Sequence, residues 1–178
     1  MRNEELKTKT KTRLSRHCEL TLSAKQSNVV AVNSSFLIPH SSLVRVIDAN
    51  LNRCREGLRV IEDCLRYVLN DGTLYKKIRM VRHGADKILR SGYAALIKER
   101  DALDDSGRKM LEISKKNLPD IIIANFKRAQ ESLRVLEEYS KTVFPEASAE
   151  FKKWRYAAYN LEKSVFLKYK KIFTGKEL

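Results

Sequence analysis

The sequence predicts an all-α protein: a helical bundle built from two internally repeated antiparallel helical hairpins, behind a flexible basic N-terminal tail. Three features point there. Apolar residues recur at steps of three and four through most of residues 43–165, the period of a helix with one buried face. Only six Gly and three Pro punctuate the 178 residues. One polar-apolar pattern also returns 75 residues further on, and internal repetition of this kind marks a duplicated structural unit.

Residues 1–40 keep no lasting period. TKTKT is polar and basic, VVAV and SSFLIP are short apolar patches among Ser and Asn, and Pro39 closes the stretch, so it reads as a poorly ordered tail that folding does not need. From Leu43 the residues Ile47, Leu51, Cys54, Leu58, Ile61, Leu65 and Val68 form a seam about six turns long. Asn70-Asp71-Gly72 is expected to end this helix, with Gly72 as a left-handed cap and Thr73 starting the next helix. That second helix carries Leu74, Ile78, Val81, Ala85 and Ile88. Residues 98–119 break the rhythm with KERDALDDSGRKM and NLPD. A third long helix then runs through Ile122, Phe126, Ala129, Leu133, Leu136 and Val143 until Pro145, and a fourth buries Phe151, Trp154, Ala158, Leu161 and Val165. The expected organisation is a tail at 1–40, the duplicated domain at 41–173 and a short C-terminal tail at 174–178.

The repeat is explicit. ANLNRCREGLRVIEDC (49–64) lies on ANFKRAQESLRVLEEY (124–139) with eight identities in sixteen positions, and YKKIR (75–79) meets FKKWR (151–155) at a shift of 76. Two hairpins with seams too apolar to face water should pack seam to seam as a four-helix bundle.

Composition excludes several classes. With 43% hydrophobic and 33% charged residues, the chain is neither collagen-like, disulfide-built nor wholly disordered. Its longest aliphatic runs, Val29–Val32 and Ile121–Ala124, are far below the ~20 residues of a membrane span. The basic start contains Glu4 and Glu5 and leads into no apolar core, so a secretory signal is not expected and a cytoplasmic location is. Cys54 and Cys64 lie ten residues apart on one helix, ~15 Å at ~1.5 Å per residue, too far to bridge. No Cys or His spacing suits a zinc site, and no Walker loop or kinase Gly-rich loop occurs. The net charge of +14 divides into +4 at 1–16, +4 at 163–178 and the remainder between them; the body's excess suits an anionic ligand.

Within the repeat the shared polar residues fall every third position: Asn50, Arg53, Glu56, Arg59 and Glu62, then Asn125, Arg128, Glu131, Arg134 and Glu137. A solvated ladder of ion pairs is worth only ~0.2–0.5 kcal/mol per pair and tolerates Lys for Arg. The same side chains chosen twice point instead to geometry, because the Arg fork grips phosphate or carboxylate in a way Lys does not. Asn50, Arg53, Glu56 and their counterparts are therefore expected to line a polar pocket. Arg59, Glu62, Arg134 and Glu137 are expected to be outward structural pairs. Arg100, Asp101, Asp104, Asp105 and Gly107 gather in the inter-repeat segment, and such carboxylates can hold a hard cation.

VIDANLNRCREGLRVIEDCLRYVLND, Arg82-His83, Arg100-Asp101, Asp105-Ser106-Gly107 and ANFKRAQESLRVLEEY together resemble the all-helical hydroxymethylpyrimidine phosphate kinase family, over about residues 43–165. Members of that family occur alone or fused ahead of thiamine phosphate synthase. The resemblance implies phosphorylation of the pyrimidine monophosphate to its diphosphate in thiamine biosynthesis, with ATP as donor and Mg²⁺ as cofactor. Residue chemistry and resemblance together make Arg53 and Arg128 phosphate forks, Asn50 and Asn125 substrate contacts, and Glu56 and Glu131 metal or orienting groups. Arg82, His83 and Arg100 join the substrate-binding set, Asp101 the catalytic set, and Asp101 and Asp105 the Mg²⁺ ligands. Functional association with thiamine phosphate synthase is the partner implied; a homo-oligomer stays open. The chain departs from the family pattern at Ser106 and Arg108, where Val and Thr are usual, and at Lys115 in place of Arg. A non-catalytic basic module for nucleic acid or a protein partner would explain the charge but not the duplicated Asn, Arg and Glu, so nucleic acid is not expected.

Overall fold

The computed structural model describes residues 40–103, 105–107, 109 and 117–175. Among them every regular element is a helix and none is a strand, so the chain is all-α. The expectations placed on residues 1–39 and 176–178 and on Asp104, Arg108 and Lys115 lie outside the described residues.

Helix α1 (His40–Asp63) buries Val44, Ile47, Leu51, Cys54, Leu58 and Ile61, the seam of the sequence. It begins three residues before the periodicity does, because Ser41 and Ser42 face water and leave no apolar signal. Its end widens into a π-helical turn (Cys64–Val68), where Leu69 N–H donates to the Cys64 carbonyl at 3.0 Å. The left-handed residue is Asn70 (φ 49°), not Gly72. Asp71 N–H then donates to the Leu65 carbonyl six residues back at 2.8 Å, one residue further than in a Schellman turn, with Asn70 in the left-handed position Gly usually holds.

Asp71, rather than Thr73, starts helix α2 (Gly72–Ile88). Its Oδ1 accepts from Thr73 N–H at 3.1 Å and Leu74 N–H at 3.0 Å, and a carboxylate at this place also meets the positive end of the helix. A 3₁₀ turn (Arg90–Gly92) leads into α3 (Tyr93–Lys98), which the sequence did not signal: Leu96 is its only buried residue, too little for a period. Helix α4 (Leu118–Val143) is capped by Asn117, whose side chain accepts from Asp120 N–H at 2.9 Å. Phe144 alone separates it from α5 (Pro145–Lys168), since Pro145 both stops α4 and suits the first turn of a new helix. The short α6 (Lys170–Thr174) closes on Gly175.

Polar contacts fix the pairing directions. Arg82 Nε donates to Glu62 at 2.6 Å and Arg55 meets Asp86 at 3.2 Å, so α1 and α2 run antiparallel. Arg155 meets Glu137 at 2.8 Å and Gln130 donates to Glu162 at 2.7 Å, so α4 and α5 do the same. Across the halves, Gly57 of α1 packs on the backbone of Asn125 and Ala129 of α4, and Gly84 of α2 on the indole of Trp154 of α5. Both glycines are close approaches. A Cβ at Gly57 would sit 2.9 Å from the Asn125 carbonyl oxygen, and one at Gly84 would enter the Trp154 ring. The four long helices thus enclose one core, in which Ile47, Leu58, Ile78, Phe126, Leu133 and Phe151 are fully buried. Each such side chain contributes about 1.5–3 kcal/mol.

Contacts recur at the repeat shift. Asn50 and Asn125 donate to the Val46 and Ile121 carbonyls four residues back, at 2.9 and 2.8 Å. Arg59 meets Glu62 at 3.3 Å and Arg134 meets Glu137 at 3.2 Å. Arg79 and Arg155, matched at a shift of 76, each reach the buried glutamate of their own half.

Glu62 and Glu137 correct the expectation that they point outward, being 0% and 4% exposed. A step of three turns back by about 60° around a helix, so four steps from Asn50 do not carry Glu62 away from the seam. They carry it past the polar face to the seam's other flank, against α2. There its carboxylate meets Arg59, Arg79 and Arg82.

Candidate functional site

The two flanks of the α1 and α4 seams have separate tasks. One flank of each helix faces its own hairpin partner through the buried glutamate. The other flanks face each other across the Gly57 contact, and beside that contact lies a groove of about 860 Å³. Among the described residues it is lined by Asn50, Arg53 and Glu56 from α1 and by Ala124, Asn125, Lys127, Arg128, Glu131, Ser132 and Val135 from α4. The duplicated Asn, Arg and Glu sets therefore meet at one place.

Helical spacing explains the convergence. Three residues at steps of three occupy about 120° of arc, so one flank of α1 and the matching flank of α4 present all six polar groups together. The absence of a Cβ at Gly57 lets the helices approach closely enough to share them. Asn50 and Asn125 are held by their bonds to Val46 and Ile121. Arg53, Lys127 and Arg128 outnumber Glu56 and Glu131, leaving the lining net positive. Two guanidinium forks with an ammonium and two amides suit ligands that bear phosphate.

The other candidates are placed elsewhere, and none is among the groove-lining residues. Arg82 is engaged by buried Glu62, and His83 lies 3.4 Å from it on the exposed face of α2. Arg100 grips the buried Asp48 carboxylate with two bonds of 2.7 Å, which holds the guanidinium more firmly protonated than usual. Asp101 meets Arg45 at 3.9 Å and accepts from Leu103 N–H at 3.2 Å, while Asp105 accepts from Gly107 N–H at 2.8 Å. The Arg100–Asp48 and Asp101–Arg45 contacts secure the inter-repeat segment to the first half of α1. Among the described residues no group of three or more His, Cys, Asp or Glu is gathered in a way that could hold a metal ion by itself. Burial pushes the Cys54 thiol up to about 12, in keeping with an inert core thiol.

Sequence reasoning missed Lys127, the third cation. It stands two residues after Asn125, and the matching position of the first copy is Asn52, so the comparison of copies hid it as a mismatch. Asp48 was missed as well. A lone acid at the edge of an apolar seam was its signal.

No helix among the described residues is long and apolar enough to cross a membrane. No solved structure matches the chain. Several curated proteins do. Residues of this chain are 36% identical over 129 positions to the thiamine-phosphate synthase of Gloeobacter violaceus, covering 71% of this chain and 37% of that protein. They are 38% identical over 123 positions to the thiamine-phosphate synthase of Synechococcus sp. (strain CC9605), covering 67% and 34%. The corresponding protein of Rhodopirellula baltica is 37% identical over 131 positions, covering 71% and 35%. The chain thus spans about a third of the length of the curated relatives it matches. The model of the ThiD2 family matches residues 45–164, from the first turns of α1 into the last turns of α5 and across the whole groove, and on that match the chain belongs to the ThiD2 family.

Proposed function

We propose that this protein phosphorylates hydroxymethylpyrimidine phosphate to its diphosphate, with ATP as donor, as a step of thiamine biosynthesis. The observation that carries the reading is the single groove in which two Asn-Arg-Glu sets, one from each repeat, face each other. The resemblance to the pyrimidine phosphate kinases and the thiamine-phosphate synthase relatives support the choice of pathway. Because the relatives are named thiamine-phosphate synthases, such a synthase is the expected functional partner.

The chemistry asks for what the groove contains. A phosphate monoester carries a charge of about −1.5 to −2 at pH 7, so the accepting oxygen is already an anion and no base need remove a proton. Its lone pair forms the new bond to the γ-phosphorus. The bond from that phosphorus to the bridging oxygen breaks, and the electron pair leaves with the nucleoside diphosphate. What opposes the step is repulsion between two anions, and positioned cations are the main remedy. Arg53 and Arg128 each offer a fork to a phosphate, and Lys127 adds a point charge. Asn50 and Asn125 offer what remains of their amides to substrate polar atoms.

Mg²⁺ is the proposed cofactor, and the donor chemistry fits it. The ion commonly takes one or two carboxylates and completes its shell with substrate phosphates and water; Glu56 and Glu131 are the groove carboxylates that would hold it. It would neutralise phosphate charge. Asp101 and Asp105 are not part of this set, because their carboxylates serve the inter-repeat segment.

The test is direct. The purified chain, given ATP, Mg²⁺ and the pyrimidine monophosphate, should produce ADP and the pyrimidine diphosphate in equal amounts. ATP consumption without that product, or no consumption at all, contradicts the reading.

A further inference from the structure

The two halves of the groove are not equivalent, and we infer that their difference assigns the ligands: the α4 half, with Lys127 beside Arg128, takes the polyphosphate of the nucleotide, and the α1 half, with Arg53, takes the single phosphate of the acceptor. The inference rests on the kinase reading and adds direction to it.

The repeat supplies the comparison. Asn, Arg and Glu are matched across the groove, so they cannot tell one ligand from the other. Lys127 can, because it lines the groove from α4 while the matching residue of α1, Asn52, does not. Asn52 is occupied elsewhere: its Nδ2 donates to Asp48 Oδ1 at 3.4 Å, and Asp48 in turn is gripped by Arg100. That network has no counterpart in α4, where the position matching Asp48 is Ile123. The same substitution pattern that ties the inter-repeat segment to α1 therefore removes a cation from the α1 half, while the α4 half keeps one.

Charge then decides the orientation. A nucleoside triphosphate brings three linked phosphates and the acceptor brings one, so the ligand with the greater negative charge gains more from the half with two adjacent cations. An ammonium suits a chain of phosphates, since its three donors can turn between neighbouring oxygens. A lone guanidinium fork suits one terminal phosphate gripped by two parallel bonds. With the polyphosphate on α4 and the monophosphate on α1, the γ-phosphoryl group and the accepting oxygen meet across the width of the groove.

The experiment measures both KM values for the full chain, and MgADP affinity by calorimetry, in wild type, Lys127→Gln and Arg53→Gln. Lys127→Gln should raise the KM for ATP and weaken MgADP binding by about tenfold or more, as expected for losing a charge-assisted contact, with the acceptor KM within about twofold of wild type. Arg53→Gln should show the reverse selectivity, leaving MgADP binding nearly unchanged. If Lys127→Gln acts on the acceptor, or Arg53→Gln on MgADP, or both act equally on both ligands, the assignment is overturned while the kinase reading stands. Failure of the wild-type chain to form any diphosphate overturns the kinase reading itself, and the assignment with it. Lys153→Gln, on the exposed face of α5, is the control for a general loss of positive charge.

Discussion

Two kinds of carboxylate are distinguished at the level of single residues. Glu62 is wholly buried against three arginines, whereas Glu56, six residues earlier, is exposed and lines the groove. Neutralising Glu62 leaves the part-buried Arg82 without its partner, and breaking a buried pair in this way costs about 3–5 kcal/mol. Glu62→Gln should therefore lower Tm sharply, while Glu56→Gln should shift stability by no more than about 0.5 kcal/mol yet reduce turnover; thermal melts beside initial rates check both. Asp71 adds a pH dependence. Burial acts to raise its pKa, but bonds from Lys168, Leu74 N–H and Tyr169 prevail and bring it down to about 2. A carboxyl whose folded pKa is depressed stabilises the fold above its unfolded pKa and loses that contribution as pH falls. The window here runs from the ordinary aspartate range near 4 down to about 2. Asp71→Asn keeps a competent N-cap and isolates the charge. Its Tm deficit relative to wild type should be full at pH 6 and nearly gone at pH 2; a deficit that is the same at both would show that the ion pair with Lys168 contributes nothing.

At the scale of elements, the decisive feature is how closely α1 approaches α4. Gly57 ordinarily costs its helix about 1 kcal/mol relative to Ala, so Gly57→Ala would stabilise an isolated α1. In the folded chain the added methyl meets a backbone carbonyl at 2.9 Å, and a backbone atom yields less readily than a side chain. The variant should lose about 1–3 kcal/mol by overpacking and melt at least ~2 °C lower. Gly72→Ala, with nothing within 4 Å, should not. The long helices were legible because each buries one face for many turns, and the period of that face is visible without tertiary knowledge. The elements that escaped reading bury too little to leave a period, as α3 does with Leu96 alone, or depend on backbone conformation, as at Asn70. Glu62 escaped for a different reason: its direction depends on counting the arc around the helix to the far flank rather than on distance from the seam.

For the molecule as a whole, the repeated sequence motif places one polar triplet on each side of a crossing, and the groove follows from that arrangement. Six of the groove residues could be named from the sequence because the repeat marked them. Lys127 and the Asp48–Arg100 clamp could not, because they are where the two copies differ. The central claim is that the triplets form a phosphate site rather than a stabilising ladder, and replacing arginine by lysine separates the two most directly. Lysine preserves charge and helix propensity but not the fork. Arg53→Lys and Arg128→Lys, measured for turnover and Tm beside Arg59→Lys and Arg134→Lys, should each lower pyrimidine-phosphate kinase turnover by on the order of 10²–10³, the scale of losing one preorganised donor, with Tm close to wild type. The Arg59 and Arg134 variants should keep most of their turnover. Equal and mild effects on turnover at all four positions would contradict the account and leave the arginines as members of a surface ladder.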